Sequence, residues 1–508
     1  MCGIIGIISN KPVCEDLVRG LHALQHRGIQ SSGMISYNSL KKKFSSPIRG
    51  QGSSTEVFRN TKLSNIVDNI AIGHNRYATS GDNVLIDAQP IYIQKPGVAI
   101  SHNGQIANYL SLRKKLEKQQ SYSFFTNCDV EALLFALSQN LIEEKSYQAK
   151  NTPSFVKEKL FPALEKTMST KSKYHTIGAY STVAIISNHG LLAFKDPHGV
   201  RPLSFAKKEK NKTIQYVFTS ETTALHFLKD FQDSYELKPG EAMFIDFDLN
   251  VYHKKINQQQ EKVCPFESVY FAQVDSKLNG QQVYDARYKL GSALAEHYSE
   301  LKNIVDTVIA VPKSPIPAAI AIANRWNKPY GGIIARPSHS PIRAFQQDAK
   351  KRKKSIDDKL LFIKSRINKK SIGLVDDSIV RGETSKKVVH KLYELGAREV
   401  HLFSTYPPYI GICAGGIDTP TQEELLLNNN SKEDIEQARK KIGATTLNYL
   451  PLEKMLKAVN LTLETACLGC TKRQYPFDMR DYSRFRELRK KYRTRLGAET
   501  DKAKCLTK

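Results

Sequence analysis

The first residues of the chain place a thiol where an N-terminal nucleophile would lie. The sequence begins Met1-Cys2-Gly3, and aminopeptidases remove an initial Met when the next residue is small. Cys2 would then carry both a thiol and a free α-amine, and an α-amine with a pKa of about 8 can take the proton of the attacking group. The apolar residues that follow predict a buried strand that holds this terminus still. A buried, unreactive cysteine is the alternative interpretation.

Polar residues further along the first half supply the groups that a thiol needs to cleave a side-chain amide. The Asn103 amide and the Gly104 backbone N–H can donate hydrogen bonds to a tetrahedral oxyanion. The Arg76 guanidinium can bind an α-carboxylate, and the Asp129 carboxylate can bind an α-ammonium group. Together these groups indicate an amino-acid substrate, although Asn-Gly alone is also typical of a hairpin turn.

The second half contains a segment whose order of residue types is typical of a phosphate site. A buried strand over residues 372–375 ends in Asp376 and Asp377, and a short loop then leads into a helix. Carboxylates at the end of a strand can hold ribose hydroxyls or Mg²⁺. The backbone N–H groups of the loop and of the helix N-terminus can hold a phosphate. A surface turn with a capping pair is the alternative interpretation.

Composition and charge narrow the class of protein. The net charge of +26 is attributed to a lysine-rich surface and a polyphosphate substrate, because no nucleic-acid-binding motif accompanies it. The sequence shows no secretory signal, and its most apolar long window, Val308–Ala323, contains Lys313 and three prolines. Eight cysteines with one C-x-x-C pair favour catalysis or metal binding over disulfides. We therefore expect a soluble, cytoplasmic protein that binds neither nucleic acid nor membrane.

The pattern of predicted elements changes along the chain. Short strands and helices over residues 2–250 predict an α+β domain, with a surface excursion near 143–173 and a linker at 254–262. Alternating strands and helices over residues 263–450 predict an α/β domain with a parallel sheet. A helix capped by Ser431 and ended by Gly443 is predicted within it. Residues 451–508 are predicted to form a C-terminal helical segment that contains the C-x-x-C pair.

The clusters of the first half resemble the class II glutamine amidotransferase family, an N-terminal-nucleophile hydrolase fold. The resemblance runs from Cys2 through the Asp196–Leu203 and Ser220-Glu221 segments to Glu241. It implies hydrolysis of glutamine at Cys2, with an oxyanion hole at Asn103 and Gly104. The residues that it implies for binding glutamine are Arg76, Asp129, Arg27 and Gly28.

The segment around Asp376 is similar to the phosphoribosyl pyrophosphate (PRPP) motif of type I phosphoribosyltransferases. The two halves together resemble the amidophosphoribosyltransferase family. The resemblance implies an α+β N-terminal-nucleophile sandwich followed by an α/β parallel-sheet phosphoribosyltransferase domain. It implies that ammonia from glutamine joins C1 of PRPP, giving 5-phosphoribosylamine and pyrophosphate in the first committed step of purine synthesis. The residues expected to bind PRPP are Asp376, Asp377, Ser378, Ile379, Val380, Arg381, Gly382, Glu383, Thr384, Ser385 and Arg336.

The same resemblance implies cofactors and partners. Magnesium is expected at Ser314, Asp376 and Asp377. A [4Fe–4S] cluster is expected at Cys264, Cys413, Cys467 and Cys470, where four thiolates could also hold zinc or could remain free. The expected partners are glutamine, PRPP, purine nucleotides as feedback inhibitors, and further copies of the chain in a homotetramer.

Three departures from the family pattern lie in the transferase site. Glu383 stands where the family usually has threonine, the pyrophosphate loop reads Pro312-Lys-Ser-Pro315, and the flap from Ala335 to Phe345 is altered. These departures motivate an alternative hypothesis, a regulatory paralogue that binds PRPP or nucleotide with a weakened transferase site. A hexosamine-phosphate synthase or an asparagine synthetase is disfavoured because Asp376, Asp377 and their loop would have no role.

Overall fold

Two antiparallel sheets lie face to face in the first half of the chain. The computed structural model describes residues 1–77, 85–120, 122–231, 233–335, 360–419 and 421–484. The strands are β1 (Gly3–Ser9), β2 (Ser31–Asn38), β3 (Lys43–Phe44), β4 (Ile48–Gln51), β5 (Ile70–Arg76), β6 (Ile91–Ile93), β7 (Val98–Ile106), β8 (Gly178–Ile186), β9 (Gly190–Lys195), β10 (Ser204–Lys210), β11 (Thr213–Thr219), β12 (Ser234–Glu236), β13 (Glu241–Asp246) and β14 (Val251–Lys255). The orders are β12-β10-β11-β1-β5-β2-β3, with β4 beside β2, and β14-β13-β9-β8-β7-β6.

The core between these sheets explains why β1 is apolar throughout. Ile4 and Ile8 of β1 contact Val183 and Leu191 of the opposite sheet, whereas Ile5 and the other alternate residues face a helical layer outside. Helices thus cover both outer faces of the two sheets, and the predicted α+β sandwich is confirmed. The helices of this half are Cys14–Ala23, Ser54–Val57, Tyr109–Gln120, Asp129–Glu143, Thr152–Ser154, Phe161–Met168 and Thr223–Leu228, with a π-helical segment at Phe155–Leu160.

The segment at 143–173 differs from the expected surface excursion. Phe155, Leu160, Phe161 and Leu164 are buried in the core of the second sheet. Its lysines lie on the opposite side of the same helices, so composition alone concealed an amphipathic pattern. The prediction of an excursion was wrong for this reason.

A parallel sheet forms the centre of the second half, as predicted. Its strands are β17 (Thr307–Ala310), β20 (Ser371–Asp376), β21 (Glu399–Ser404) and β22 (Thr446–Tyr449), and two small pairs are β15 (Lys277–Leu278) with β16 (Gln281–Gln282) and β18 (Ile333–Ala335) with β19 (Leu360–Phe362). The helices are Val283–His297, Ile316–Trp326, Lys364–Ile367, Glu383–Glu394, Lys432–Ile442, Leu452–Ala458 and Gly469–Lys472, with a π-helical segment at Glu267–Phe271. Two apolar cores cover the two faces of the sheet.

The helix predicted between Ser431 and Gly443 is confirmed in detail. The Ser431 side chain accepts a hydrogen bond from the Asp434 backbone N–H, and Gly443 ends the helix in the left-handed conformation. No helix in the described ranges is long and apolar enough to cross a membrane.

Candidate active sites

Cys2 lies at the start of β1, held between β5 and the end of β7. The Tyr77 backbone N–H donates to the Cys2 Sγ at 3.4 Å, and the Cys2 nitrogen donates to Asn103 Oδ1 at 3.2 Å. Met1 is still attached and only 1% exposed. The Cys2 nitrogen is therefore a peptide nitrogen here, and it would become the α-amine if Met1 were removed.

Asn103 and Gly104 lie side by side on β7, close to Cys2. The Asn103 Nδ2 group is buried and has no hydrogen-bond partner among the described residues. Since Oδ1 accepts from the Cys2 nitrogen, Nδ2 of the same side chain is available as a donor. Gly104 has a φ of +144°, and a Cβ there would lie 1.9 Å from the Ala179 carbonyl oxygen. Only glycine fits this position.

Arg76 and Asp129 are both buried, Arg76 at the end of β5 and Asp129 at the start of the helix Asp129–Glu143. Arg76 ends β5 and pairs with Asp87, with Nη2 at 3.4 Å from the carboxylate. Asp129 begins a helix and accepts hydrogen bonds from Gln105 Nε2 at 2.9 Å and from the Ile106 N–H at 2.7 Å. Arg76 is held by an opposite charge and Asp129 by two hydrogen-bond donors. A side chain that binds a charged ligand needs such fixed orientation.

Arg27 is completely buried beneath Cys2. Its Nε donates to the Cys2 carbonyl oxygen at 2.8 Å, and its guanidinium pairs with Glu221 and Glu267. Burial alone would lower the pKa of Arg27, but the two carboxylates outweigh burial and raise that pKa. Gly28 follows, and a Cβ there would lie 2.4 Å from the Arg76 backbone carbon.

Sequence reasoning missed several residues of this site. It gave no role to Glu221, Glu267 or Arg201, and no role to the Tyr77 backbone. The Cys264-Pro-Phe-Glu267 motif contained the signal for Glu267, because a carboxylate in an apolar run is expected to have a cationic partner. No pattern in the sequence identifies the Tyr77 N–H, since its position depends on the path of β5.

The second candidate site lies at the carboxyl end of β20. Asp376 and Asp377 are each 7% exposed; Ser385 Oγ donates to Asp376 Oδ2 at 3.1 Å, and Ser378 Oγ donates to Asp377 Oδ1 at 2.7 Å. Burial, and then the charge of Asp377, raise the pKa of Asp376 well above its usual range. A cation bound beside this pair would favour the charged form of both carboxylates.

The loop from Ser378 to Ser385 joins β20 to the following helix as predicted. Gly382 caps the helix with a φ of +74°. Arg381 donates to Glu424 through Nε at 3.0 Å and to the Asp418 carbonyl oxygen at 3.0 Å, so its guanidinium is engaged beside the loop. Glu383 is exposed at the first helical position. Arg336 lies outside the described residues, as does most of the flap.

One cavity connects the surroundings of the two sites. Its volume is about 1210 Å³, and it is lined by Ser314, Asp376 and the loop 378–385 from the second half, and by His26 and Tyr77 from the first. Tyr77 contacts the Cys2 thiol through its backbone, so the cavity extends from the loop 378–385 to the surroundings of Cys2.

The cysteines expected to bind a cluster come together from three segments. The Val263 N–H donates to the Thr465 carbonyl oxygen, and the Cys467 N–H donates to the Val263 carbonyl oxygen, each at 2.8 Å. The N–H groups of Ile410 and Gly411 donate to the Cys470 carbonyl oxygen. These backbone bonds attach residues 263–264 and 410–413 to the C-x-x-C segment.

The electrostatics of the thiols show the same proximity. Burial raises the pKa of Cys470, and the charges of Cys264, Cys467 and Cys413 raise it further. Cys413 Sγ accepts hydrogen bonds from the N–H groups of Gly415 at 3.3 Å and Ile417 at 3.4 Å. Tyr406 Oη lies 3.1 Å from Cys470 Sγ. Across the described ranges, however, no three or more His, Cys, Asp or Glu side chains are arranged to hold a single metal ion.

Comparison with known proteins agrees with both halves. A family profile described as a glutamine amidotransferase domain matches residues 74–227. Amidophosphoribosyltransferase of Pasteurella multocida is 33% identical over 465 residues, covering 90% of this chain and 89% of that protein. A chloroplastic amidophosphoribosyltransferase of Glycine max is 34% identical and covers 94% of this chain and 78% of that protein.

Two solved structures share the whole architecture. The glutamine PRPP amidotransferase of B. subtilis, complexed with ADP and GMP, is 31% identical with a TM-score of 0.77, covering 94% of this chain and 98% of that one. A structure described as the allosteric regulatory enzyme of purine biosynthesis is also 31% identical, with a TM-score of 0.78 and coverage of 94% and 97%.

The fold and the matches define a glutamine amidotransferase joined to a phosphoribosyltransferase. The chain belongs to the amidophosphoribosyltransferase family. It is a glycosyltransferase that forms 5-phosphoribosylamine from PRPP and glutamine, the first committed step of purine biosynthesis. Nothing in the comparisons favours the regulatory alternative.

Proposed function

We propose that Cys2, once Met1 is removed, is the nucleophile that hydrolyses glutamine, with its own α-amine as the base. The observation that carries this proposal is that both reactive groups of Cys2 are held in place. The Cys2 nitrogen contacts Asn103, and the Cys2 thiol contacts the Tyr77 N–H. A thiol and an amine on one residue need no distant base. The division into residues 2–250, 263–450 and 451–508 remains our proposed domain arrangement.

The unpartnered Asn103 Nδ2 supports an oxyanion hole formed with the Gly104 N–H. A buried amide donor without a partner costs free energy, and an oxyanion that develops beside it would satisfy the group in the transition state. Arg76 would hold the α-carboxylate of glutamine and Asp129 its α-ammonium group. Arg27 and Gly28 would hold the chain at the nucleophile in place rather than contact the substrate.

In the second site, the loop Ser378–Ser385 would bind the 5-phosphate of PRPP mainly through backbone N–H groups. The Arg381 guanidinium already has a carboxylate partner in Glu424. This supports binding of the phosphate by backbone N–H groups rather than by the Arg381 side chain. Asp376 and Asp377 would hold the ribose hydroxyls and, with Ser314, a Mg²⁺ ion that would neutralise the charge of the pyrophosphate. Two carboxylates plus substrate oxygens and waters suit Mg²⁺, which seldom uses an all-protein cage. Arg336 remains a predicted PRPP ligand.

The four cysteines would hold a [4Fe–4S] cluster, as the resemblance to the family implies. Backbone hydrogen bonds bring their three segments together, and the charges of the other three thiols raise the pKa of Cys470. Thiolates from three separated segments favour such a cluster, because a zinc ribbon more often uses two local C-x-x-C pairs and the sequence has one. When bound, the cluster would link the three chain segments that supply its cysteine ligands.

Other properties follow as proposals from the relatives. The B. subtilis structure holds ADP and GMP, which supports feedback inhibition of this chain by purine nucleotides. A homotetramer and a cytoplasmic location stay predictions. Ammonia released near Cys2 would reach PRPP through the cavity that Tyr77 and the transferase loop both line.

The test of this assignment compares Cys2→Ala with Cys14→Ala, since Cys14 is an equally buried thiol in the helix Cys14–Ala23. We expect Cys2→Ala to abolish glutamine-dependent formation of phosphoribosylamine and to leave synthesis from PRPP and free ammonia intact. A chain that retains Met1 should behave in the same way. Cys14→Ala should keep both activities. Glutamine hydrolysis by Cys2→Ala would refute the mechanism.

A further inference from the structure

A continuous line of buried charged side chains runs from beneath Cys2 to the cysteine cluster. Arg27 Nη2 lies 3.0 Å from both carboxylate oxygens of Glu267, and Arg201 Nη1 lies 3.3 Å from Glu267 Oε1. All three side chains are at most 2% exposed. Glu267 is therefore the shared partner of two guanidinium groups.

Each end of this line contacts a different functional region. Arg27 Nε donates to the carbonyl oxygen of Cys2 at 2.8 Å. At the other end, Arg201 Nε donates to the Gly415 carbonyl oxygen, and Arg201 Nη2 lies 3.9 Å from Cys413 Sγ. Glu267 itself lies three residues after Cys264. Cys413 thus contacts this charge network through Arg201, and Cys264 is close in sequence to its central residue, Glu267.

The two guanidinium groups and the two carboxylates of this line balance in charge. Loss of the Glu267 charge would therefore leave one positive charge uncompensated. Arg27 and Arg201 face Glu221 and Glu267, and Glu221 is also held by the Gln273 N–H and by Ser276. Removing one partner of a buried ion network leaves an uncompensated charge that moves toward other partners or water. Without the Glu267 charge, Arg27 would keep the Glu221 carboxylate and the Cys2 carbonyl oxygen, and Arg201 would keep the Gly415 carbonyl oxygen and Cys413 Sγ.

We infer that Glu267 is a positioning residue that ties the geometry of the Cys2 nucleophile to the state of the cysteine cluster through Arg27 and Arg201. The inference rests on the proposed roles of Cys2 and of the four cysteines. Glu267 touches neither glutamine nor the reacting atoms, so its effect reaches the reaction only through Arg27. Loss of the metal centre would release the loop at Cys413, shift Arg201, and thereby reduce glutaminase activity at a distance.

The first test compares Glu267→Gln with Glu241→Gln in the full chain, purified anaerobically. Glu241 is also buried, and it binds Tyr235 and the Lys238 N–H away from Cys2, so it controls for the loss of any buried carboxylate. Because small displacements of a nucleophile are costly, we expect Glu267→Gln to lower the glutaminase kcat by about 10-fold. The KM for glutamine and the ammonia-dependent activity should change less than about 2-fold, since Arg76, Asp129 and the PRPP site are untouched.

A readout independent of turnover accompanies this test. The rate at which iodoacetamide alkylates Cys2 should fall in Glu267→Gln by a similar factor and stay unchanged in Glu241→Gln. An unchanged kcat and alkylation rate in Glu267→Gln, or an equal loss in Glu241→Gln, would overturn the inference. Glutamine hydrolysis that persists in Cys2→Ala would instead refute the proposed function, so the two failures are distinguishable.

The second test measures the coupling itself with a double-mutant cycle. Cys413→Ser should lower the glutaminase kcat and the alkylation rate in the wild-type background but add less than about 2-fold in the Glu267→Gln background. In the Glu241→Gln background the full effect of Cys413→Ser should return. If Cys413→Ser does not fold, Arg201→Lys takes its place, because lysine cannot contact Glu267, Gly415 and Cys413 together. Effects that multiply independently would overturn the coupling.

Discussion

Glu383 shows how exposure changes the effect of one charge in the transferase site. Its carboxylate stands at the first position of the helix Glu383–Glu394 and is exposed. An acid in the first turn of a helix is favourable because it faces the positive end of the helix dipole. The same position lies in the loop proposed for the 5-phosphate, where a second negative charge is unfavourable. Solvent weakens both effects.

We expect Glu383→Thr to lower the KM for PRPP by about 5-fold at low salt, the effect of two charges about 4 Å apart in water. At about 0.3 M KCl the difference should shrink below 2-fold, because salt screens exposed charges. Glutaminase kcat should not change. The measurement is KM for PRPP at two salt concentrations, and a salt-independent difference would show that charge repulsion is not its cause.

Among single residues, sequence reasoning could select Cys2, Asn103, Asp376 and Asp377 as candidates, because their chemistry and spacing are local. It could not find Glu267, whose importance depends on a contact with Arg27, 240 residues away. Nor could it show that Arg381 is engaged by Glu424. Partners from distant segments become visible only in the folded chain.

Among the elements, the loop after Cys413 lies directly on the proposed oxyanion hole. Gly416 has a φ of +105°, and a Cβ at this position would lie 3.1 Å from Gly104 backbone atoms. Since Gly104 cannot move without disturbing its pairing with Tyr180, this contact fixes the second half of the chain against the glutaminase strand β7.

Gly416→Ala is expected to reduce glutamine-dependent activity by about 10-fold while leaving ammonia-dependent activity intact, because the added methyl group displaces Gly104. Gly443→Ala is the matched control. Gly443 also has a positive φ, of +85°, but nothing lies within 4 Å of its Cβ position, so this variant should lose about 1 kcal/mol of stability and no activity. Equal activity losses in both would indicate general destabilisation.

The regular elements were predictable where apolar spacing is strong. The strand predicted over residues 372–375 lies within β20 (Ser371–Asp376), and the helix predicted between Ser431 and Gly443 has its predicted ends. The segment 143–173 was misjudged because charge content outweighed the spacing of Phe155 and Leu160. Burial in a helical layer cannot be inferred from composition alone.

For the molecule as a whole, the cysteine segments connect regions that are far apart in sequence. Cys264 follows the last strand of the glutaminase sheets, Cys413 follows β21, and Cys467 and Cys470 lie near the end of the described chain. A metal centre bound by all four would constrain the unfolded chain more than any local contact, because it closes long loops.

Protein purified without oxygen should therefore be brown and contain iron. Cys467→Ser should lose iron and lower the unfolding midpoint, since metal–thiolate bonds contribute to folding. Cys128→Ser serves as a control, because Cys128 is a buried thiol distant in sequence from the four; its iron content should equal that of the wild type. Stoichiometric zinc, or no metal after anaerobic purification, would contradict the proposal.

The burial of Met1 sets an order of events during synthesis of the chain. In the folded state Met1 is 1% exposed, so an aminopeptidase could not reach it, and its removal has to precede folding. Strand β1 pairs with β11, whose residues 213–219 are made much later. At about 5–20 residues per second, the ribosome leaves a window of roughly 10–40 s. Protein that folds before processing would stay inactive as a glutaminase, and the share of such molecules would depend on the race between translation and the peptidase.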